Sequence, residues 1–258
     1  RQKLTDKSAL EISLYYKELR DMIQSQYYAF AYPLSYYGYG NQDYGTVKGI
    51  TFEYDLRRMG NIQLVANYTL QFAEGTGSDA NSQSDLTNAN TGNLRTIFPL
   101  DFDERHRLTA TIDYRYGEGK LYNGPTINGK QIFANAGINL TAIAASGTPY
   151  TATTLPTVYD GTDGGQNTRG GVNGARLPIT STLNLRIDKD FTLVSPTKDK
   201  KGMFLNVYFR VQNLLDQRNI SNVYSATGSA DDDGWIASPR GQSDLRQRID
   251  PASYLLSY

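Results

Sequence analysis

Cysteine is absent from the 258 residues and histidine occurs once. The first absence excludes a disulfide framework, thiolate metal sites and a cysteine nucleophile. The second leaves multi-histidine metal binding and Ser-His catalysis almost without material. Charge of one sign is not in excess either, with 26 Lys plus Arg against 26 Asp plus Glu. No net positive field exists to hold nucleic acid, which is not expected as a partner. No apolar run reaches the roughly 18 residues of a membrane-spanning helix, and the mean hydropathy is −0.52. A charged-then-apolar leader is missing and the first residue is Arg1, so any signal peptide is expected to be removed or to lie upstream.

What is present in quantity is tyrosine, 20 residues against 9 Phe and 1 Trp. Rings with a polar tip suit a boundary between oil and water. Alternation of apolar and polar residues recurs throughout and marks an all-β chain. In "RLTATIDYRY", Leu108, Ala110, Ile112, Tyr114 and Tyr116 share one parity, and Arg107, Thr109, Thr111, Asp113 and Arg115 the other. The same pattern sets Leu10, Ile12, Leu14 and Tyr16 against Glu11, Ser13, Tyr15 and Lys17, and Ile50, Phe52, Tyr54 and Leu56 against Thr51, Glu53, Asp55 and Arg57. It continues through "NIQLVANYTLQF", "ANAGINLTA", "STLNLRIDK" and "MFLNVYFRVQN", with a weaker strand over "MIQSQYYAF". About eight strands are expected, many near the 9 to 11 residues a tilted transmembrane strand needs.

Connections alternate in length. Short ones are expected at 20–21 ("RD"), 58–61 and 194–202, with a longer member at 117–130; long ones at 33–44, about 75–103, 148–177 and from 214 onward. Tight turns at one end and long loops at the other describe an up-and-down outer-membrane barrel. A soluble sandwich obeys the same period of two. The polar stripe favours the barrel: it mixes Arg and Asp with Asn, Gln, Thr and Tyr and is poor in Lys, a composition suited to charge pairs across strands in a wet lumen. Tyr15, Tyr16, Tyr114, Tyr116 and Tyr122, near strand ends, suit interfacial girdles.

The segment "FPLDFDERHRLTATIDYRYG" resembles a recurrent feature of TonB-dependent outer-membrane receptors, an Asp-x-Arg-His stretch that opens a strand after a long outer loop, here Asp103, Arg105 and His106. "FLNVYFRVQNLLDQRNISNVYSATG" carries a second family-like stretch in Asn213, Leu214, Leu215, Asp216, Arg218 and Asn219, and "LTDKSALEISLYYKELRDMIQ" looks like a family strand pair. The flavour is that of SusC-like, carboxypeptidase-regulatory-type receptors. The resemblance implies about 22 strands closed around a plug, import of an oligosaccharide or peptide with energy passed through TonB, and a SusD-like surface lipoprotein as partner. Against that pattern the chain has no plug and no TonB box, and "IDPASYLLSY" differs from the usual closing strand. Residues 1–258 are therefore expected to be the C-terminal portion of a transmembrane β-barrel, with lipid and the remaining barrel and plug around it. The alternatives are a structural subunit of an outer-membrane complex, a passive channel and, among enzymes, an outer-membrane hydrolase.

No catalytic residue, cofactor or metal ligand is expected. His106 lacks an identifiable partner for general-base work and reads as a hydrogen-bonded strand-start residue. Asp231, Asp232 and Asp233, and the acids of "DGTDGG" at 160–165, lack the ordered spacing of a calcium loop and read as solvated acid. Asp216 and Arg218 are expected to order the loop above the barrel rim. Tyr36, Tyr37 and Tyr39 are candidate ligand or partner contacts in an outer loop, because exposed rings stack on sugars or pack on peptides.

Overall fold

In the computed structural model the described residues are 1–88, 93, 95–154, 168–194 and 201–247, the side chains of 85 and 86 aside. The acids at 160–165, most of the 194–202 connection and "IDPASYLLSY" lie outside them.

The chain opens with a short strand β1 (Gln2–Thr5) and turns into β2 (Ser8–Tyr28) and β3 (Tyr36–Met59), two long strands of 21 and 24 residues. β4 (Ile62–Gly75) follows after a tight turn in which Gly60 takes the left-handed φ of 62°. A long loop carrying the helical turn α1 (Ser84–Asn88) and the two-residue β5 (Phe98–Pro99) leads to β6 (His106–Arg115). Between β6 and β9 (Ala136–Ala145) the connection folds into its own hairpin, β7 (Thr126–Ile127) and β8 (Lys130–Gln131). Asn128 and Gly129 both have positive φ there, as a two-residue turn of the primed type demands. β10 (Pro149–Tyr150) and β11 (Ala175–Arg176) pair above the sheet before β12 (Thr180–Val194) and β13 (Met203–Val211), and α2 (Pro239–Gln247) comes last.

Nine of these strands form one sheet in the order β1-β2-β3-β4-β6-β9-β12-β13, with β5 on the end of β4, and each neighbouring pair is antiparallel. This is an up-and-down meander with short connections at one end and long ones at the other, and the sheet is not closed. Three expectations change. "RD" at 20–21 is a bulge inside β2, where the register slips between Leu19 and Met22 and Asp21 takes a φ of 56°. An Asp that tolerates the left-handed region serves a turn and a bulge equally, so local chemistry could not separate them. The 33–44 segment is then mostly strand, since the bulge lets β2 run on to Tyr28 and pair with β3 from Tyr36. The missing short connection is at Asp6 and Lys7, between β1 and β2.

Register lines up apolar residues across the sheet. Ile62, Tyr114, Ile138, Ile187 and Phe209 form one row, and Leu56, Leu64, Ile112, Leu140, Leu185 and Val211 another. These rows face outward: Ile112 is 44% exposed and Phe209 64%. The opposite, polar side is covered in part, with Arg107, Arg186 and Arg210 still exposed. Asp103 and Gln24 are fully buried and Asp188 nearly so, whereas the only clustered apolar core among the described residues is Val47, Ala73 and Leu100, with Tyr15 and Leu19 against it. In water, leaving such rows exposed would forfeit about 1.5–3 kcal/mol per large side chain. Hydrocarbon on that face removes the penalty.

Candidate functional site

Arg115 lies on the polar face at the foot of β6, in register with Gly137 of β9 and, through it, with Asp188 of β12. Its Nη2 donates to both oxygens of Asp188 at 2.9 and 2.8 Å. The span over the middle strand is possible because position 137 has no side chain; a Cβ there would sit 2.7 Å from the Arg115 guanidinium carbon. Arg58 donates to Asp113, Arg115 also lies 3.8 Å from Asp113 and 3.9 Å from Asp190, and Arg186 lies 3.7 Å from Asp188. Three arginines and three aspartates thus tie the ends of β3, β6 and β12 with no net charge. Beside this network are two open recesses, one of 290 Å³ against Arg58, Asp113, Arg115 and Asn139, and one of 410 Å³ against Asn139, Asn184, Arg186 and Arg210.

At the other end of the sheet Asp103 is a latch. Its Oδ1 accepts the Ala73 N–H of β4 at 2.8 Å, and its Oδ2 accepts Arg105 Nε at 3.2 Å and an N–H of Arg176. Arg176, on β11, also donates to the backbone carbonyl of Asp103 at 2.6 Å. Residues 95–105 and β11 are thereby pinned to the rim. Arg105 lies over the Phe72 ring at 4.7 Å. His106 starts β6, its Nδ1 2.8 Å from the Tyr68 hydroxyl and its N–H donated to Ser146 Oγ at 3.1 Å. The imidazole thus meets a phenol, and the Ser146 hydroxyl meets the backbone and not the ring.

After β13 the backbone turns at Asn213 and Asp216, both at positive φ. Asn213 Nδ2 and Oδ1 bond the Gln217 carbonyl and N–H, and its own N–H donates to Asn184. Asn219 pairs with Ser181 as a strand would, donating to its carbonyl and accepting its N–H, each at 2.9 Å. Leu214 N–H donates to the Leu183 carbonyl. The ordering expected of Asp216 and Arg218 falls to the two asparagines: among the described residues neither of those charged side chains makes a hydrogen bond or ion pair. Asp232 and Asp233 accept the N–H groups of Gly234 and Trp235, two residues on.

Tyr36, Tyr37 and Tyr39 belong to the far end of β3, not to a loop. Tyr36 stacks on Tyr28 with centroids 4.9 Å apart, and Tyr37 meets Tyr27 at 5.1 Å. Tyr37 and Tyr39 border a 230 Å³ recess whose other walls include Ser25, Asn81 and Thr87. Loop 76–88 reaches that place through Ser25, whose N–H donates to the Ala80 carbonyl, and Asp43, which accepts from Thr76. Tyr15 is not a girdle residue: it turns to the polar face and donates to Gln71 at 3.0 Å. Tyr114, Tyr116, Tyr122 and Phe133 do cluster at the short-connection end.

Sequence reasoning missed Arg176, Gly137, Gln24 and Asn219's strand-like pairing. The only available signal was a lone Arg after "GGVNGA" and a Gly inside an alternating strand, both easily read as ordinary loop and weak strand.

No protein-family model matches the chain, and no curated protein matches it. Among solved structures it is similar to the outer membrane transporter YddB from Escherichia coli, with a TM-score of 0.51 and 10% sequence identity over 84% of this chain. The match takes in 28% of that transporter, so the chain spans well under a third of its length. The likeness is one of fold: a mostly antiparallel β-sheet of the outer-membrane transporter kind.

Proposed function

We propose that residues 1–258 form the C-terminal portion of the β-barrel of an outer-membrane receptor of the TonB-dependent, SusC-like type, importing a nutrient such as an oligosaccharide or peptide, and that the chain is not an enzyme. The observation that carries the reading is the inside-out sheet. Its apolar rows are exposed while Asp188 on the opposite face and Asp103 at its end are buried and paired with arginines, which suits lipid on one side and a wet lumen on the other. The likeness to an outer membrane transporter supports the same reading. An unclosed sheet with edges at β1 and β13 is consistent with further strands and a plug supplied by the rest of the polypeptide.

In this reading the β2–β3 hairpin, about twice the roughly 10 residues needed to span a bilayer, projects outside with Tyr36, Tyr37 and Tyr39. Its rings are the proposed contact for the ligand or for a SusD-like surface lipoprotein. The test begins with the denatured mass of the polypeptide isolated from its native membrane, and with whether it fractionates with outer membrane. A mass three to four times 28.7 kDa in that fraction, with ligand uptake lost on deletion of TonB, is the expected result. A polypeptide near 28.7 kDa, or one that stays in solution without detergent, overturns the receptor reading.

A further inference from the structure

Arg186 and Arg210 are direct register partners on β12 and β13. Like charges placed opposite one another on a shared face are destabilising unless something lies between them. Arg186 leans away down the sheet: its Cζ lies 4.7 Å over the Tyr208 ring, its Nη2 3.5 Å from Asn206 and its Nε 3.7 Å from Asp188. Asp188 is already engaged by Arg115 at 2.8–2.9 Å, so it neutralises Arg186 only in part. Arg210 makes no ion pair or side-chain hydrogen bond among the described residues.

Both line the 410 Å³ recess, together with Asn139, Thr141 and Asn184, with Ile143 and Leu185 at its walls. No carboxylate among the described residues lines it. Asn184 Oδ1 accepts the Asn213 N–H at 3.0 Å and Asn139 Oδ1 the Thr141 hydroxyl at 3.3 Å. Each amide keeps its Nδ2 donor pair beside one further acceptor lone pair. Two arginines and two amides therefore line a recess that has no carboxylate among the described residues. The neighbouring 290 Å³ recess differs because Asp113 sits in its wall.

We propose that this recess is an oxyanion site, which binds a phosphate or carboxylate group between Arg186 and Arg210 with Asn139 and Asn184 as neutral donors. Charge-assisted hydrogen bonds from guanidinium to an oxyanion are about twice as strong as neutral ones. A bound anion also removes the repulsion that the register otherwise imposes. The site rests on the reading that the polar face lines a wet lumen, and does not depend on what is transported.

The full polypeptide in detergent is tested by equilibrium dialysis against radiolabelled inorganic phosphate and, separately, acetate, each at ionic strength fixed with sodium chloride. One saturable class of site is expected for at least one of the two probes. Arg210→Gln is expected to weaken it about tenfold, the equivalent of about 1.4 kcal/mol, and Arg210→Lys to weaken it less. Asn139→Asp, which places a carboxylate in the recess without adding bulk, is expected to abolish binding. Retained heat-modifiable mobility on gels shows that the variants are folded. No saturable binding of either probe to the unmodified protein, or binding indifferent to Arg210→Gln and Asn139→Asp, overturns the proposal.

Discussion

Arg115 and Asp188 meet over a strand that belongs to neither of them, because Gly137 leaves the space above β9 open. Tyr15 and Gln71 repeat the arrangement over Gly49, where a Cβ would fall 2.5 Å from the Tyr15 hydroxyl. Both contacts tie alternate strands on the polar face. These ties add to the small apolar cluster of Val47, Ala73 and Leu100, against which Tyr15 also packs.

Gly137→Ala is expected to push the Arg115 guanidinium off Asp188 and to destabilise the sheet by about 1–3 kcal/mol, the cost of leaving a mostly buried carboxylate short of its partner. Urea unfolding in detergent measures it. In a cycle with Asp188→Asn the two changes should be strongly non-additive; simple additivity would show that the glycine matters for another reason.

Ile112 and Thr111 are neighbours on opposite faces. Ile112→Arg should cost about 2–4 kcal/mol near the bilayer midplane and less toward an interface, while Thr111→Arg, on the wet side, should cost far less. Folding equilibria in lipid vesicles check this. Equal costs on the two faces would contradict lipid on the apolar side.

Removal of either partner from the Asp103 and Arg176 latch should release the rim. Asp103 is fully buried, so Asp103→Ala strands Arg176, Arg105 and the Ala73 N–H together and is expected to cost about 3–5 kcal/mol. Hydrogen exchange should rise at Ala73 and along residues 95–105 while the feet of β6 and β9 stay protected. Unchanged exchange at Ala73 would remove the latch from the account.

Asn219→Ala deletes two hydrogen bonds to the Ser181 backbone and should cost about 1–2 kcal/mol, whereas Arg218→Ala should fall within about 0.5 kcal/mol of the parent. Thermal melting of the two variants side by side decides between them.

On the β2–β3 hairpin, Tyr37→Ala and Tyr39→Ala empty one wall of the 230 Å³ recess, while Tyr36→Ala removes the Tyr28 stack on the other face. If the recess contacts ligand, the first two should lower uptake more than the third. Uptake unchanged in all three would end the ligand role of these rings.

The sequence by itself determined the strand class, the two parities and the alternating ends, because a period of two is written locally in every strand from Leu10 to Val211 and needs no partner to be read. It also marked Asp103 and Asn213 as unusual. Only the tertiary structure decided that Asp21 sits in a bulge and not a turn, and that Tyr36 therefore lies in a strand. It alone decided that Arg176 returns across seventy-three residues to Asp103, and that Arg115 reaches Asp188 over Gly137. The physical reason is common to all four: each depends on which strand lies opposite, and register is fixed by pairing over distances that no local pattern encodes.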